Sequence, residues 1–225
     1  MGKLFVIDGT DGSGKQTQSA MLKKRLEKEN INFMEVSFPN YDSPSSALVK
    51  MYLSGDFGEH AEDVSPYVAS TFYAADRYAT YKTKLEKFYE TGGIIIADRY
   101  TTSNMIHQAG KIKDKIERKK FIDWLFDLEF NIYKIPKPDK VFFLNMPPKD
   151  SLNLIKNRDN KFTNNKQKDI HEKDVNYMLD SYNAACDLSK EYNWLEINCI
   201  KEGKIRTIED IHEEIFEEIK NDIGI

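Results

Sequence analysis

A glycine-rich segment near the start of the chain has the composition of a phosphate site. It reads Gly9-Thr10-Asp11-Gly12-Ser13-Gly14-Lys15, directly after an apolar stretch and directly before a helical pattern. Glycines let the backbone turn so that successive N–H groups face one anion, the following helix N-terminus adds positive potential, and Lys15 reaches the outer phosphates. This G-x-x-x-x-G-K spacing predicts a site for the phosphates of a nucleoside triphosphate. The predicted contacts are Gly9, Thr10, Asp11, Gly12, Ser13, Gly14, Lys15, Gln16 and Thr17.

The metal ion that accompanies such phosphates needs a ligand outside the usual position. Gln16 stands where a serine or threonine hydroxyl would ligate Mg²⁺. Carboxylates are better ligands for this hard cation, and Asp98 ends the apolar run 94–97, where a strand beside the first would bring it to the phosphates. We therefore predict that Asp98 and Asp11 hold Mg²⁺. A helix cap is the structural alternative for Asp98.

These residues must be positioned by alternating strands and helices. Short apolar runs at regular intervals read as buried strands, and the segments between them have helical periodicity, as over 15–29 and at Ile208, Ile211, Ile215 and Ile219. This alternation predicts a doubly wound α/β fold, with a five-stranded parallel sheet and helices on both faces, in one domain over 1–225. The predicted strands are 4–8, 33–38, 94–98, 140–145 and 194–198.

One segment is unlike the rest of the chain. Residues 157–168 read NRDNKFTNNKQK, which is polar, rich in Asn and Lys, and nearly without apolar residues. Because it lies between two helical patterns, we interpret it as a surface loop inside the domain. We predict a mobile lid at about 157–170.

Composition and charge exclude several classes of protein. The chain has 225 residues, a 40% hydrophobic share and a net charge of −4, with a pI of about 5.7. The hydrophobic share argues against disorder, and the acidic balance argues against a general nucleic-acid or membrane-surface binder. The apolar runs fall short of the ~20 residues that span a bilayer, and no secretory signal is recognisable. With Cys186 and Cys199 read as reduced thiols, we expect a cytoplasmic protein.

The phosphate motif is shared by switch GTPases, nucleotide kinases and ATP-driven machines. A GTPase would read guanine with N-K-x-D, whereas Asn165-Lys166-Gln167-Lys168 has no Asp at the fourth place. The switch interpretation is therefore disfavoured.

Taken together, the ordered motifs resemble the thymidylate kinase family of nucleoside monophosphate kinases, and the resemblance extends over about residues 4–195. Each motif is modest alone, but their joint order is highly specific. The motifs are the phosphate segment with Asp11, then Phe38-Pro39-Asn40-Tyr41, Tyr73-Ala74-Ala75-Asp76-Arg77, Asp98-Arg99-Tyr100 with Ser103 and Asn104, and Pro136-Lys137-Pro138-Asp139.

The resemblance implies a role for each matching position. Arg99 offers a planar fork for the acceptor phosphate. Tyr73 and Arg77 share a helix face, which the family uses to stack on thymine and to bond its O4. By the same resemblance, Asn104 helped by Ser103 binds the ring edge, Phe38 and Tyr41 line the acceptor site, and Asp11 contacts the sugar 3′-hydroxyl and the metal.

Some positions depart from the family pattern. His107 stands where a tyrosine commonly crowds the sugar 2′ carbon, which puts deoxyribose selectivity in question. Asp8 replaces a usual Glu. The phosphate segment has Lys15 as its one cation, which resembles the branch that places a catalytic arginine in the lid. Arg158 is therefore the expected catalytic residue there, assisted by the lid lysines, with a solvated loop face as the alternative role of those lysines.

The resemblance implies a kinase that uses ATP and Mg²⁺ to convert dTMP to dTDP by direct in-line transfer, in the supply of dTTP. The catalytic set is then Lys15, Asp11, Arg99 and Arg158. Two alternatives stay open: a kinase for another monophosphate or a deoxynucleoside, and a P-loop regulator that binds nucleotide without turnover. We expect small nucleotides as the only ligands, without nucleic acid or membrane, and a homodimer formed through 64–89 and 113–133.

Overall fold

A five-stranded parallel sheet forms the centre of the computed structural model, which describes residues 1–156 and 175–224. The strands are β1 (Lys3–Asp8), β2 (Phe33–Ser37), β3 (Ile94–Asp98), β4 (Lys140–Asn145) and β5 (Leu195–Asn198). They lie in the order β2-β3-β1-β4-β5, and each neighbouring pair is parallel. The predicted doubly wound α/β fold is confirmed, with every strand boundary within one residue of its prediction.

Helices cover both faces of the sheet, and those that precede β5 connect successive strands. They are α1 (Lys15–Lys28), α2 (Ala47–Ser54), α3 (Pro66–Thr80), α4 (Glu86–Glu90), α5 (Thr101–His107), α6 (Lys115–Phe126), α7 (Pro148–Lys156), α8 (Val175–Glu191) and α9 (Ile208–Ile223). Local capping explains several of their starts: the Asp114 carboxylate accepts the amides of Ile116 and Glu117 at 2.9 Å, and the Thr207 hydroxyl accepts that of Asp210.

Two segments wind more widely than an α-helix. α3 continues into a π-helical turn at Tyr81–Leu85, and α6 continues into another at Asp127–Ile132. Such turns insert one extra residue into a helix and often occur at functional sites. Each of the helical stretches predicted over 64–89 and 113–133 therefore contains one π turn. The sequence did not indicate these turns, because helical periodicity alone does not reveal them.

The sheet is buried on both faces. Along β1, Phe5 and Ile7 pack on one side against α1 and α9, whereas Leu4 and Val6 pack on the other side with the elements that surround Tyr100. Successive strand side chains point to opposite faces, so a continuous apolar run is what a doubly covered sheet requires.

The carboxyl ends of β1 and β3 meet at one edge of the sheet. Ile7 lies opposite Asp98 in the register, and the strand order reverses beside β1, whose neighbours are β3 and β4. In open α/β sheets the crevice at such a reversal is where ligands bind. This edge is therefore where the candidate site should lie.

A short antiparallel hairpin follows β5 and was not predicted. Its strands β6 (Ile200–Lys201) and β7 (Lys204–Ile205) have two residues each, too few for a periodic signal. Glu202 and Gly203 form its turn, both with positive φ, as a tight hairpin turn needs. The predicted lid at 157–170, with Arg158, lies outside the described residues.

Candidate active site

The phosphate segment joins β1 to α1 without a side-chain cap. Gly14 has φ 95° at the N-cap position, in the left-handed region, and no side chain accepts the first-turn amides of α1. A helix start with open amides is a ready site for an anion. Gly9 is equally constrained, since a Cβ there would lie 2.8 Å from Ser13 Oγ and 2.9 Å from the Leu144 carbonyl oxygen. The geometry fits the predicted phosphate site.

Lys15 lies inside its own loop. Its Nζ donates to the carbonyl oxygens of Gly9 and Thr10, both at 2.8 Å, and the side chain is buried. Burial, followed by repulsion from Arg99, lowers the pKa of Lys15 to about 8. The neighbouring hydroxyls of Thr10 and Ser13 are buried without a hydrogen-bond partner among the described residues. These groups would gain partners from bound phosphate oxygens.

Gln16 and Thr17 lie at the outer side of this segment. Gln16 is exposed and Thr17 is half-buried. The backbone amide of Gln16, at the start of α1, is the group that fits the predicted contact with phosphate. The exposure of its side chain gives no support for a role in metal binding.

The Asp8 carboxylate ties the phosphate segment to α5. Asp8 is fully buried and accepts the Gly9 amide at 2.8 Å, the Ser103 hydroxyl at 2.9 Å and the Thr102 hydroxyl. Ser103 was predicted to help bind the base, and in the structure its hydroxyl donates a hydrogen bond to Asp8. Sequence reasoning missed this because Asp8 and α5 are more than ninety residues apart, and nothing local indicates the partner.

Arg99 lies at the centre of the polar groups of the site. Its backbone has φ 68°, in the left-handed region that costs a non-glycine residue about 1–3 kcal/mol and is common at functional sites. Its Nη2 is ion-paired with Asp11 Oδ1, and its Nη1 donates to Nε2 of His107 at 3.1 Å. Because Arg99 is the donor, the His107 Nε2 carries no proton in this contact.

The electrostatics of this pair keep both groups charged. Burial by itself would raise the pKa of Asp11, but the charge of Arg99, helped by that of Lys15, outweighs it and holds that pKa well below its usual range. The acidic neighbours of Arg99 raise its pKa in turn, against the effect of burial. Asp11 is thus ion-paired with Arg99. The sequence predicted contacts of Asp11 with the sugar and the metal but did not indicate this ion pair.

Asp98 fits the predicted metal role better than Asp11. Burial raises the pKa of Asp98, opposed by Lys15 and Arg99, and its Oδ1 is buried without a hydrogen-bond partner in the described part of the chain. Within residues 1–156 and 175–224, no three His, Cys, Asp or Glu side chains form a preformed cation site. Mg²⁺ commonly binds one or two carboxylates and completes its shell with substrate phosphates and water, a role that the Asp98 carboxylate fits.

The residues predicted to read the base lie on α3 and α5. Tyr73 is half-buried and meets Tyr52 edge-on, with ring centroids 6.3 Å apart. Asn104 is buried and its Nδ2 donates to the Ser70 carbonyl at 3.4 Å. Arg77 is also buried, and two of its nitrogens are bound by Glu129, a partner that the sequence did not indicate.

The loop after β2 is fastened to α3 through Asp76. This fully buried carboxylate accepts the Asn40 amide at 2.7 Å and the Ser45 hydroxyl. Phe38, before a cis bond to Pro39, is buried with its ring 5.7 Å from that of Tyr100. The predicted lining residue Tyr41 is 41% exposed, so it stays accessible to a ligand.

Tyr177 on α8 is a further residue of this region that sequence reasoning missed. Its ring is stacked on His107 at 6.1 Å between centroids, and it is buried, which raises its pKa well above the usual value. The one signal in the sequence that could have indicated Tyr177 is that it is an aromatic residue soon after the polar segment predicted to be a lid. Tyr177 adds a wall on the His107 side of the site.

A phosphate loop, an arginine at the end of the neighbouring strand and an aromatic helix face together define a P-loop kinase of the nucleoside monophosphate type. The family model "Thymidylate kinase" matches residues 7–215. The chain belongs to the thymidylate kinase family. It is accordingly a kinase that uses ATP and Mg²⁺ and phosphorylates dTMP.

Individual relatives agree with this assignment. The chain is 26% identical to thymidylate kinase of Plasmodium falciparum, over 97% of this chain and 90% of that protein. It is 30% identical to a probable thymidylate kinase of Thermococcus kodakarensis, over 68% and 71% of the two chains. A solved thymidylate kinase structure from Candida albicans superposes with a TM-score of 0.71 at 22% identity, covering 98% of this chain and 92% of that one, which supports the fold.

Proposed function

We propose that Arg99 binds the phosphate of dTMP while Lys15 and the loop amides bind the outer phosphates of ATP. The observation that carries this proposal is the position of Arg99, ion-paired to Asp11 of the phosphate loop and bonded to His107 of α5. A cation held between the loop and α5 lies where a donor and an acceptor phosphate would approach each other. Its planar fork suits bidentate binding of a phosphate.

The reaction then needs positioning and positive charge rather than a covalent intermediate. An oxygen of the dTMP phosphate attacks the γ-phosphorus of ATP in line, that P–O bond forms, and the bond to the β–γ bridging oxygen breaks to release ADP. Lys15, Arg99 and, from the lid, Arg158 would stabilise the charge that spreads over the transferred group. Mg²⁺, with Asp98 as a ligand, would neutralise phosphate charge.

Base reading completes the proposal. Tyr73 would stack on thymine, Asn104 would bond the ring edge, and Arg77 would donate to O4. The position of Tyr73 supports the first role, because its half-buried ring lies on α3 four residues before Arg77, on the same helix face.

Measurement of ADP release tests this proposal. With ATP and Mg²⁺, we expect dTMP to stimulate release more than dUMP, ribothymidine monophosphate, dGMP, dCMP, AMP or thymidine. We expect Arg99→Lys to lower kcat/KM for dTMP by about 10–150-fold, the value of one hydrogen bond to a charged group, and to leave the KM for ATP unchanged.

The matched control is Arg25→Lys, because Arg25 is ion-paired with Glu29 and Glu213 on the exposed side of α1. It should retain wild-type kinetics. Preferred stimulation by another monophosphate would overturn the base assignments, and an Arg99→Lys enzyme with unchanged kcat/KM for dTMP would overturn the clamp.

We also propose that the chain forms a homodimer through α3 and α6. Val68 on α3 and Ile116 on α6 are 48% and 69% exposed, and Tyr67 on α3 packs on the rings of Phe121 and Trp124 of α6. Exposed apolar groups of this kind are typical of contact surfaces. Sedimentation equilibrium should give a dimer that Val68→Glu dissociates; a monomeric wild type would contradict the proposal.

The cellular setting follows as a proposal from the same family. We propose one kinase domain over 1–225 with a lid at 157–170, acting in the cytoplasm in dTTP supply, and the unpaired Cys186 and Cys199 support a reducing compartment. Within the described residues no helix has the length and apolar character needed to cross a membrane. Imaging of the tagged chain tests the location, which a membrane-bounded compartment would contradict.

A further inference from the structure

A fully buried carboxylate lies behind the base-reading face of α3. Glu129 has no exposed surface, and its side chain belongs to the π-helical turn that follows α6. We infer that Glu129 is a positioning residue, which holds Arg77 in the one orientation that lets this arginine read the acceptor base. This inference rests on the proposed function, because it assumes that Arg77 faces the base.

Glu129 binds Arg77 through both carboxylate oxygens. Oε2 accepts Nε of Arg77 and Oε1 accepts Nη2, each at 2.6 Å. This is the side-on bidentate arrangement, which fixes the plane of the guanidinium as well as its position. Nη1 is the nitrogen that does not bond to Glu129.

The guanidinium also packs against two aromatic rings. The rings of Phe38 and Tyr100 lie 5.9 and 5.7 Å from its central carbon and 5.7 Å from each other, so both lie on the same side of it and restrict its movement in that direction. Arg77 is 1% exposed. An arginine restrained in this way presents one edge, that of Nη1, in one direction.

Glu129 is itself held by the acceptor side of the molecule. The Thr101 hydroxyl, at the start of α5, donates to Oε2 at 3.1 Å. α5 also carries Asn104 and follows Arg99, so one carboxylate links the helix that would bind the ring edge to the arginine that would bind O4. The extra residue of the π turn brings Glu129 to this position, where a regular α-helix would shift the register.

Stability alone is a weak reason for such a pair. Burying two charges costs much of what their attraction returns, and apolar residues of similar volume often replace a buried ion pair without loss. A fixed N–H edge has a use in base reading, since it can donate to the carbonyl at position 4 of thymine but opposes the amino group of cytosine. A site built to bond a carbonyl rejects the analogue without it strongly.

The test compares dTMP with dCMP as acceptors in the full-length enzyme. For Glu129→Gln we expect the ratio of kcat/KM values, dTMP over dCMP, to fall by about tenfold or more, with most of the change in the KM for dTMP. The KM for ATP should stay at its wild-type value. Glu213→Gln is the control, because Glu213 is a half-exposed partner of Arg25 far from α3, and it should leave the ratio unchanged.

Thr101→Val provides a second, milder variant should Glu129→Gln fail to fold. It removes one bond to Oε2 and leaves the ion pair in place, and we expect a fall in the same ratio of about twofold or more. A ratio that stays at the wild-type value in whichever of the two variants folds would overturn the inference, whatever happens to the melting temperature.

Failure of this inference can be separated from failure of the proposed function. Arg77→Met combined with Glu129→Leu removes both charges together and should fold, since no charge is left unpaired. If that enzyme still prefers dTMP as the wild type does, Arg77 does not read the base, and both the base assignment and the role of Glu129 are wrong. If the double variant loses the preference but Glu129→Gln keeps it, Arg77 reads the base and only the role of Glu129 is wrong.

Discussion

Replacement of Asp8 by asparagine should loosen the phosphate loop from α5. The Asp8 carboxylate is fully buried at the end of β1 and receives the Gly9 amide and the hydroxyls of Thr102 and Ser103. Asparagine has nearly the same shape but no charge, and its amide group donates where the second carboxylate oxygen accepted. The Gly9 bond can persist, whereas one hydroxyl loses its acceptor.

The expected cost follows from these contacts. A hydrogen bond to a charged group contributes about 1.5–3 kcal/mol, so losing one and weakening the others should destabilise the protein by about 3 kcal/mol. For a chain of this length that corresponds to a melting temperature lower by about 6–12 °C. Because the loop and α5 carry the groups for the two substrates, we expect the KM values for ATP and dTMP to rise together.

Urea unfolding and steady-state kinetics measure the two effects. Asp139→Asn is the matched control: Asp139 accepts the Leu4 amide at 2.8 Å near the opposite end of β1, and its side chain is 28% exposed. It should lose about 1 kcal/mol or less, with unchanged kinetics. An Asp8→Asn variant as stable as that control, with wild-type KM values, would refute the reasoning.

Three further measurements follow from the site. Lys15→Ala should abolish turnover and leave circular dichroism unchanged, and retained activity would contradict the donor assignment. Since Lys15 has a pKa of about 8 and binds phosphate as a cation, log(kcat/KM) for ATP should be flat below that pH and fall with a slope of about −1 above it. The pKa of Lys111 is also lowered to about 8, mainly by burial. If Lys15 causes the fall of log(kcat/KM) above pH 8, the Lys111→Met variant should show the same fall. Because the His107 imidazole is smaller than the family's tyrosine, kcat/KM for ribothymidine monophosphate should lie within about tenfold of that for dTMP, and a preference above about a hundredfold would show that the ring still excludes the 2′-hydroxyl.

The sequence by itself was sufficient for the fold and for the kind of chemistry. The phosphate segment is continuous, from Gly9 to Lys15, so its spacing carries the whole signal. Strands covered on both faces produce uninterrupted apolar runs, which is why their boundaries were predicted within one residue. The resemblance to one kinase family rested on motifs of the same local kind.

What only the tertiary structure decided is which groups bond to one another. Asp11 is paired with Arg99 and Arg77 with Glu129, across 88 and 52 residues of chain. The sequence predicted a role for Ser103 beside the base but not that its hydroxyl donates to Asp8, because a buried carboxylate takes donors from whichever element folds against it. Local periodicity encodes which face of an element is buried but not which polar partner it meets there, so these contacts become determinate only when the helices pack on the sheet.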